Sequence, residues 1–180
     1  MKKRYLSLII GVALLCIMTH PTGAQAYSKL GTYLKISEAK SFKTFINPTA
    51  KAHKSIILNG AKSWNVSPYL NTLSIGTDTY PQFIVSSSNV DKGNTVAVCT
   101  PWVYNGTMIV AKNEVTTYKA FNSLSTSNKT ETITHEYGHG FGLGHVKSKS
   151  AIMLDVGFIG KTVPQADDLN GIKAIYQGLK

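Results

Sequence analysis

Cysteine, arginine and acidic residues are all scarce in this chain. Two of its 180 residues are cysteines, Cys16 and Cys99, and Arg4 is its single arginine. Nine acids face 19 basic residues, a formal net charge of +10. The longest mostly apolar stretch, residues 5–18, has fourteen residues, short of the ~20 that a membrane-spanning helix requires. Stable membrane insertion is therefore not expected. The lysines are dispersed, with no basic helix or arginine cluster, whereas a nucleic-acid site concentrates its charge. A nucleic-acid partner is excluded on that ground. The excess charge reads as a solvated surface, or one that favours anionic polymers and acidic substrates.

The start of the chain has the plan of an export leader: Lys2, Lys3 and Arg4, then the apolar stretch, then the small-x-small triplet Ala24-Gln25-Ala26. Cleavage after Ala26 is expected, giving a secreted, extracellular protein. Residues 1–26 would be the signal peptide, and Cys16 would leave with it. Cys99, in the apolar run Val96-Ala97-Val98-Cys99, would be left without an intrachain partner. It reads as a buried, inert thiol. The remainder is long enough to bury one core without disulfides. Residues 27–41 are polar, and the sequence leaves open whether they are ordered or a removable pro-segment.

Beyond residue 41 the chain alternates between extended and helical patterns. Residues 42–47 read as a strand, 50–65 as a helix with Ile56, Ile57, Ala61 and Trp64 near helical spacing, and 73–77 and 82–87 as short strands. Residues 95–100 read as a strand ended by Pro101, and Asn105-Gly106 as the turn into a strand over 108–117. A helix is expected over 129–141, with Asn128 as its cap and Glu131 as the acid of its third position. Pro164 to Tyr176 reads as a last helix, with Pro164 in the first turn and the acids Asp167 and Asp168 near the positive end of its dipole. Asp91-Lys92-Gly93-Asn94 is turn chemistry. One acid there falls far short of a calcium loop, so calcium has no support in the sequence.

Three of the five histidines lie within residues 135–145, His-Glu-Tyr-Gly-His-Gly-Phe-Gly-Leu-Gly-His. His135 and His139, four apart, stack on one face of a helix, where two neutral imidazoles can share one zinc ion. His145 reaches the same ion only if the chain turns back, and Gly142 is placed to allow that. Glu136 lies beside the metal as a base for water.

The pattern His135-Glu136-x-x-His139-x-x-Gly142-x-x-His145 resembles the extended zinc signature of the metzincin metalloproteases. Ala151-Ile152-Met153 is similar to their Met-turn, in which a methionine forms an apolar floor under the zinc, and its short spacing from His145 resembles the matrixin branch. Residues 165–176 look like the matrixin C-terminal helix, whose paired acids tie it to the Met-turn. The chain departs from that pattern at Val146, where matrixins carry serine, and at Leu154-Asp155, where they often carry Tyr-Pro. With His53 the single histidine left outside the leader and the motif, the second, structural zinc of animal matrixins cannot be built.

This resemblance implies an α+β fold: a twisted, mostly parallel sheet with one antiparallel edge strand, two long helices, a Met-turn and a C-terminal helix, within a catalytic domain over residues 42–180. It implies a zinc-dependent endopeptidase acting as a monomer on protein or peptide substrates. One Zn2+ would be held by His135, His139 and His145, with Glu136 as general base. It also places residues 95–99 where a substrate strand would pair, with the N–H of Val98 among the groups offered. The alternative is a secreted zinc-binding module without catalysis, adhesive or polymer-binding. Glu136 argues against it, since metal storage requires no such carboxylate.

Overall fold

The structure, a computed structural model, describes residues 27–75 and 80–179. The expected leader and the end of the strand expected over 73–77 lie outside the described residues. In chain order the elements are β1 (Ser28–Lys29), α1 (Ile36–Ala39), β2 (Phe42–Ile46), α2 (Lys54–Ser63), β3 (Thr72–Ile75), β4 (Phe83–Ser87), β5 (Ala97–Val103), β6 (Val110–Thr117), α3 (Thr126–Gly140), β7 (Leu143–Gly144) and α4 (Ala166–Tyr176). Strands β2 to β6 form one sheet in the order β3-β2-β4-β6-β5. Every neighbouring pair is parallel except β5 with β6, which is antiparallel and places β5 at the edge. The α+β fold with one antiparallel edge strand is therefore the architecture found.

Alternation decides which sheet face is covered. Phe42, Thr44, Phe83, Val85, Asn113 and Val115 are fully buried, whereas the residues between them are partly open to solvent. Helices α2 and α3 pack on the buried face. Helix α2 presents Ile57, Gly60 and Ala61, followed by Trp64, close to the stripe its spacing predicts. Helix α3 presents Ile133 and Tyr137, with Phe141 at its end. Tyr137 stacks on Phe83 at 4.2 Å, and Phe141 meets Phe42, Phe83 and Trp64 edge-on at 5.2–5.5 Å. The Tyr137 hydroxyl bonds Thr44 Oγ1 at 2.9 Å, and Trp64 Nε1 donates to Thr134 O at 2.9 Å. Such aromatic pairs favour offset and edge-on contacts, so this cluster fixes the rotation of α3 about its axis. That rotation carries His135 and His139 to the open side.

Three expectations are corrected. Pro101 does not end its strand, because β5 continues to Val103. Its neighbours explain why. Val96 O accepts from Tyr118 N and Tyr104 N donates to Ile109 O, so the even-numbered residues of β5 face β6. The nitrogen of Pro101 faces the open edge, where no ladder bond is lost. Helix α3 starts earlier than expected and is capped by Ser125, whose Oγ accepts from Asn128 N. Pro164 precedes α4, whose cap is Gln165, with the Asp168 carboxylate accepting from Gln165 N at 2.7 Å.

The N-terminal segment 27–41 is built into the fold. Strand β1 pairs antiparallel with β7, and Leu30 N donates to Gly142 O at 2.8 Å. Leu34 is fully buried, and its N–H donates to the Tyr176 hydroxyl, which donates in turn to Phe141 O. The aromatic cluster leaves no room at Gly140, where a Cβ would lie 2.3 Å from Phe83 Cε1 and 3.0 Å from Asn113 Cγ. Gly140→Ala is expected to destabilise the fold by about 1–3 kcal/mol through overpacking, measured by denaturant unfolding. An unchanged midpoint would show that Phe83 is free to move.

Candidate metal centre

Helix α3 supplies two of the three imidazoles, and the third returns through a sharp turn. Gly142 adopts φ +102°, and a Cβ there would lie 2.2 Å from Thr32 O. Both the backbone angle and the close approach of the N-terminal segment call for glycine. The chain reverses through β7 and brings His145 under the helix end. The three Nε2 atoms then lie 3.1 Å (His135–His139), 3.1 Å (His135–His145) and 3.0 Å (His139–His145) apart. Ligands of a tetrahedral zinc at about 2.0–2.1 Å are separated by about 3.3–3.4 Å, so the three nitrogens fit one ion with a shift of a few tenths of an ångström. Among the described residues no other group of three or more His, Cys, Asp or Glu side chains is arranged to hold a metal.

The opposite ring nitrogens set the tautomers. Nδ1 of His135 lies 2.7 Å from Ile152 O, and Nδ1 of His139 lies 2.8 Å from Leu143 O. A carbonyl only accepts, so each Nδ1 carries the proton and each Nε2 turns a lone pair to the centre. Nδ1 of His145 faces Asp155 Oδ1 at 3.5 Å. Burial pushes the His135 imidazole down to about 3, with the neighbouring His139 adding to the shift. Burial likewise pushes His139 down to about 4. Both rings are neutral at physiological pH, the form that binds metal.

Glu136, the residue after His135 on α3, is buried. Burial pushes its carboxyl up to about 8, and a hydrogen bond from the Cys99 backbone N–H on β5 opposes the rise. A dication on the imidazoles would favour the carboxylate. The Cys99 thiol is half-buried, and burial followed by the charge of Glu136 holds its pKa well above the ordinary thiol range. That agrees with an inert role.

The Met-turn packs beneath the helix, with Met153 against Gly138, where a Cβ would come within 2.3 Å of Sδ. Val146 N donates to Met153 O and Asp155 N to Val146 O, both at 2.9 Å, so the turn is clamped to the residue after His145. Asp168, buried at the start of α4, accepts from Ile152 N at 2.9 Å and Met153 N at 3.2 Å. It thereby fixes the carbonyl that orients His135. Ser150 Oγ donates to Asp167.

Sequence reasoning missed Glu131. Its carboxylate does not cap the helix. It is buried and accepts from three consecutive backbone N–H groups, Ile159 at 2.6 Å, Gly160 at 3.0 Å and Lys161 at 3.1 Å. The available signal was its place four residues before His135, on the helix face that carries the imidazoles. Asp155 and Tyr176 were missed as well. The remaining candidates lie apart: His53 Nε2 bonds Asn122 Oδ1 at 3.1 Å and its ring packs on Phe121. Asp91 accepts from Gly93 N at 3.0 Å and Lys119 Nζ at 3.1 Å.

The family model for matrixins matches residues 46–177, which include every element of this site. The chain belongs to the matrixin family. Matrixins are zinc metalloproteases, and the mixed sheet, the imidazole triad and the turn carrying Met153 accord with that membership. No curated protein matches the chain significantly. Among the described residues no helix is long and apolar enough to cross a membrane.

The Glu136 carboxyl makes stability depend on pH. Below its ordinary value of 4.5 it is protonated in both the folded and unfolded states. As pH rises towards about 8 the unfolded chain ionises first, so folding loses about 1.4 kcal/mol for each unit in that window. In chelator-treated protein Glu136→Gln should therefore raise Tm at pH 8 and leave it near the original at pH 4.5. Equal shifts at the two pH values would refute this assignment.

Proposed function

We propose that this matrixin is an exported endopeptidase that hydrolyses internal peptide bonds, with His135, His139 and His145 holding a zinc ion and Glu136 acting as general base. The convergence of three Nε2 lone pairs, with a buried carboxylate on the residue that follows His135, carries the reading. When bound, zinc would supply Lewis acidity towards the scissile carbonyl and towards water. Glu136 follows His135 directly on α3, and the Cys99 N–H holds its carboxylate in place. From there it takes the proton of the attacking water and returns it to the leaving amine. A buried carboxylate in this position serves hydrolysis and has no use in a metal-storage or adhesive module.

Strand β5 supports the pairing of an extended substrate at its open edge, because it is hydrogen-bonded to β6 on one side alone. The groups it offers differ from the expectation for Val98. Val98 pairs with Thr116 on the β6 side, and its N–H belongs to the ladder. The odd residues Ala97, Cys99 and Pro101 face outward. Of these, Cys99 gives its N–H to Glu136 and Pro101 has none, so the centre of the edge presents carbonyl acceptors to substrate N–H groups. Export rests on the leader-like residues 1–26. Mass spectrometry of protein recovered from the medium of a secreting host should read Tyr27 as the first residue, and a retained leader would overturn that part.

Cleavage of a mixed peptide library by the purified protein tests the activity. It should be abolished by a chelator, restored by zinc, and reduced by at least about 10²-fold in Glu136→Ala, in line with the loss of a general base. Zinc binding without Glu136-dependent cleavage would sink the protease reading. Single N-methylation along a cleaved peptide should raise KM at alternate residues, the period of strand pairing. A flat response would remove β5 from substrate binding.

A further inference from the structure

We propose that Asp155 is a positioning residue for His145: its carboxylate accepts a hydrogen bond from Nδ1–H and aims the imidazole at the metal point, while Lys147 competes for the same carboxylate. The inference rests on the metal-binding reading of the three histidines.

The three ligands are not held alike. His135 and His139 lie on or at the end of α3 and give Nδ1 to backbone carbonyls at 2.7 and 2.8 Å. His145 lies on the returning loop with its side chain 48% exposed. Its Nδ1 faces a carboxylate oxygen, Asp155 Oδ1, at 3.5 Å. The two backbones are clamped as neighbours, since Asp155 N donates to Val146 O and Val146 N to Met153 O, both at 2.9 Å. Those bonds place the Asp155 side chain beside the ring whatever its charge. A rotation of the carboxyl of under 1 Å brings Oδ1 within hydrogen-bond range.

A metal on Nε2 requires the proton on Nδ1. A carboxylate accepting a hydrogen bond from that N–H fixes the tautomer, orients the ring and makes Nε2 a stronger donor to the metal. Its negative charge also acts directly on a bound cation, as a carbonyl's cannot. The other oxygen, Oδ2, is engaged by Lys147. The Lys147 side chain is 88% exposed, so water screens its hold on the carboxylate. The acid stands at one of the two positions where the chain departs from the Tyr-Pro that matrixins often carry after the Met-turn methionine.

The test is zinc affinity of the purified protein, read by competition with a chromophoric chelator, for the wild type, Asp155→Ala, Asp155→Asn and Lys147→Met. Removing a partner of this kind weakens metal binding about 10–100-fold, and that loss is expected for Asp155→Ala. Asp155→Asn keeps an uncharged acceptor and should lose less. Lys147→Met frees the carboxylate and should bind zinc as tightly as wild type or more so. Asp155→Ala within twofold of wild type would overturn the proposal. So would an equal loss in Lys147→Met, which would mark a surface ion pair acting as a unit. Unfolding of the chelated variants separates misfolding from weak binding, and Asp155→Asn carries the test should Asp155→Ala fail to fold. Failure of the wild type to bind zinc would sink the metal reading itself, whereas a tight wild type with an indifferent Asp155→Ala sinks this inference alone.

Discussion

Three imidazole lone pairs aimed at one point repel one another, and much of the structure serves to hold them there. Nothing local to residues 135–145 does this alone. The helix sets the first two rings one above the other. The backbone angle at Gly142 returns the third, and Leu30 N on Gly142 O together with the β1–β7 pairing keeps the loop from springing open. The orienting carbonyl of His135 comes from Ile152, in a turn that is itself held by Asp168 on α4. Segments from both ends of the described chain therefore converge on one small triangle of nitrogens.

The scarcity of acids gives each one weight. Glu131, Glu136 and Asp168 are buried, and each is satisfied at least in part by backbone N–H groups rather than by a lysine. Ionised oxygens are strong acceptors from such donors. In this chain they act as tethers: Glu131 binds the loop at residues 159–161 to α3, Asp168 binds the Met-turn to α4, and Glu136 is linked to the edge strand through Cys99. Burial raises the pKa of Asp168 in spite of its backbone donors, and that of Glu136 to about 8.

Much of this was legible in the residues. The spacing of His135, Glu136, His139, Gly142 and His145 states the candidate site, because helical periodicity and one glycine leave few ways to arrange three imidazoles. Alternation and helical stripes located most elements of the sheet and both long helices. The misplaced boundaries share one cause. Ser125 and Asn128 are both good caps, Pro101 is harmless once its nitrogen faces an open edge, and Pro164 packs ahead of a helix that Gln165 and Asp168 cap. Local chemistry permits each alternative, and neighbouring elements choose between them.

What the sequence determined by itself was therefore which three imidazoles come together, the carboxylate that follows the first of them and the order of elements, since these follow from periodicity and side-chain chemistry along one stretch of chain. The tertiary structure decided which groups sit behind them. Glu131 faces N–H groups 28 to 30 residues away, Tyr176 bonds Leu34 across 142 residues, and Asp155 meets His145 through a turn clamped at Val146. Pairings at such separations depend on how the sheet and helices pack, and no local pattern records them.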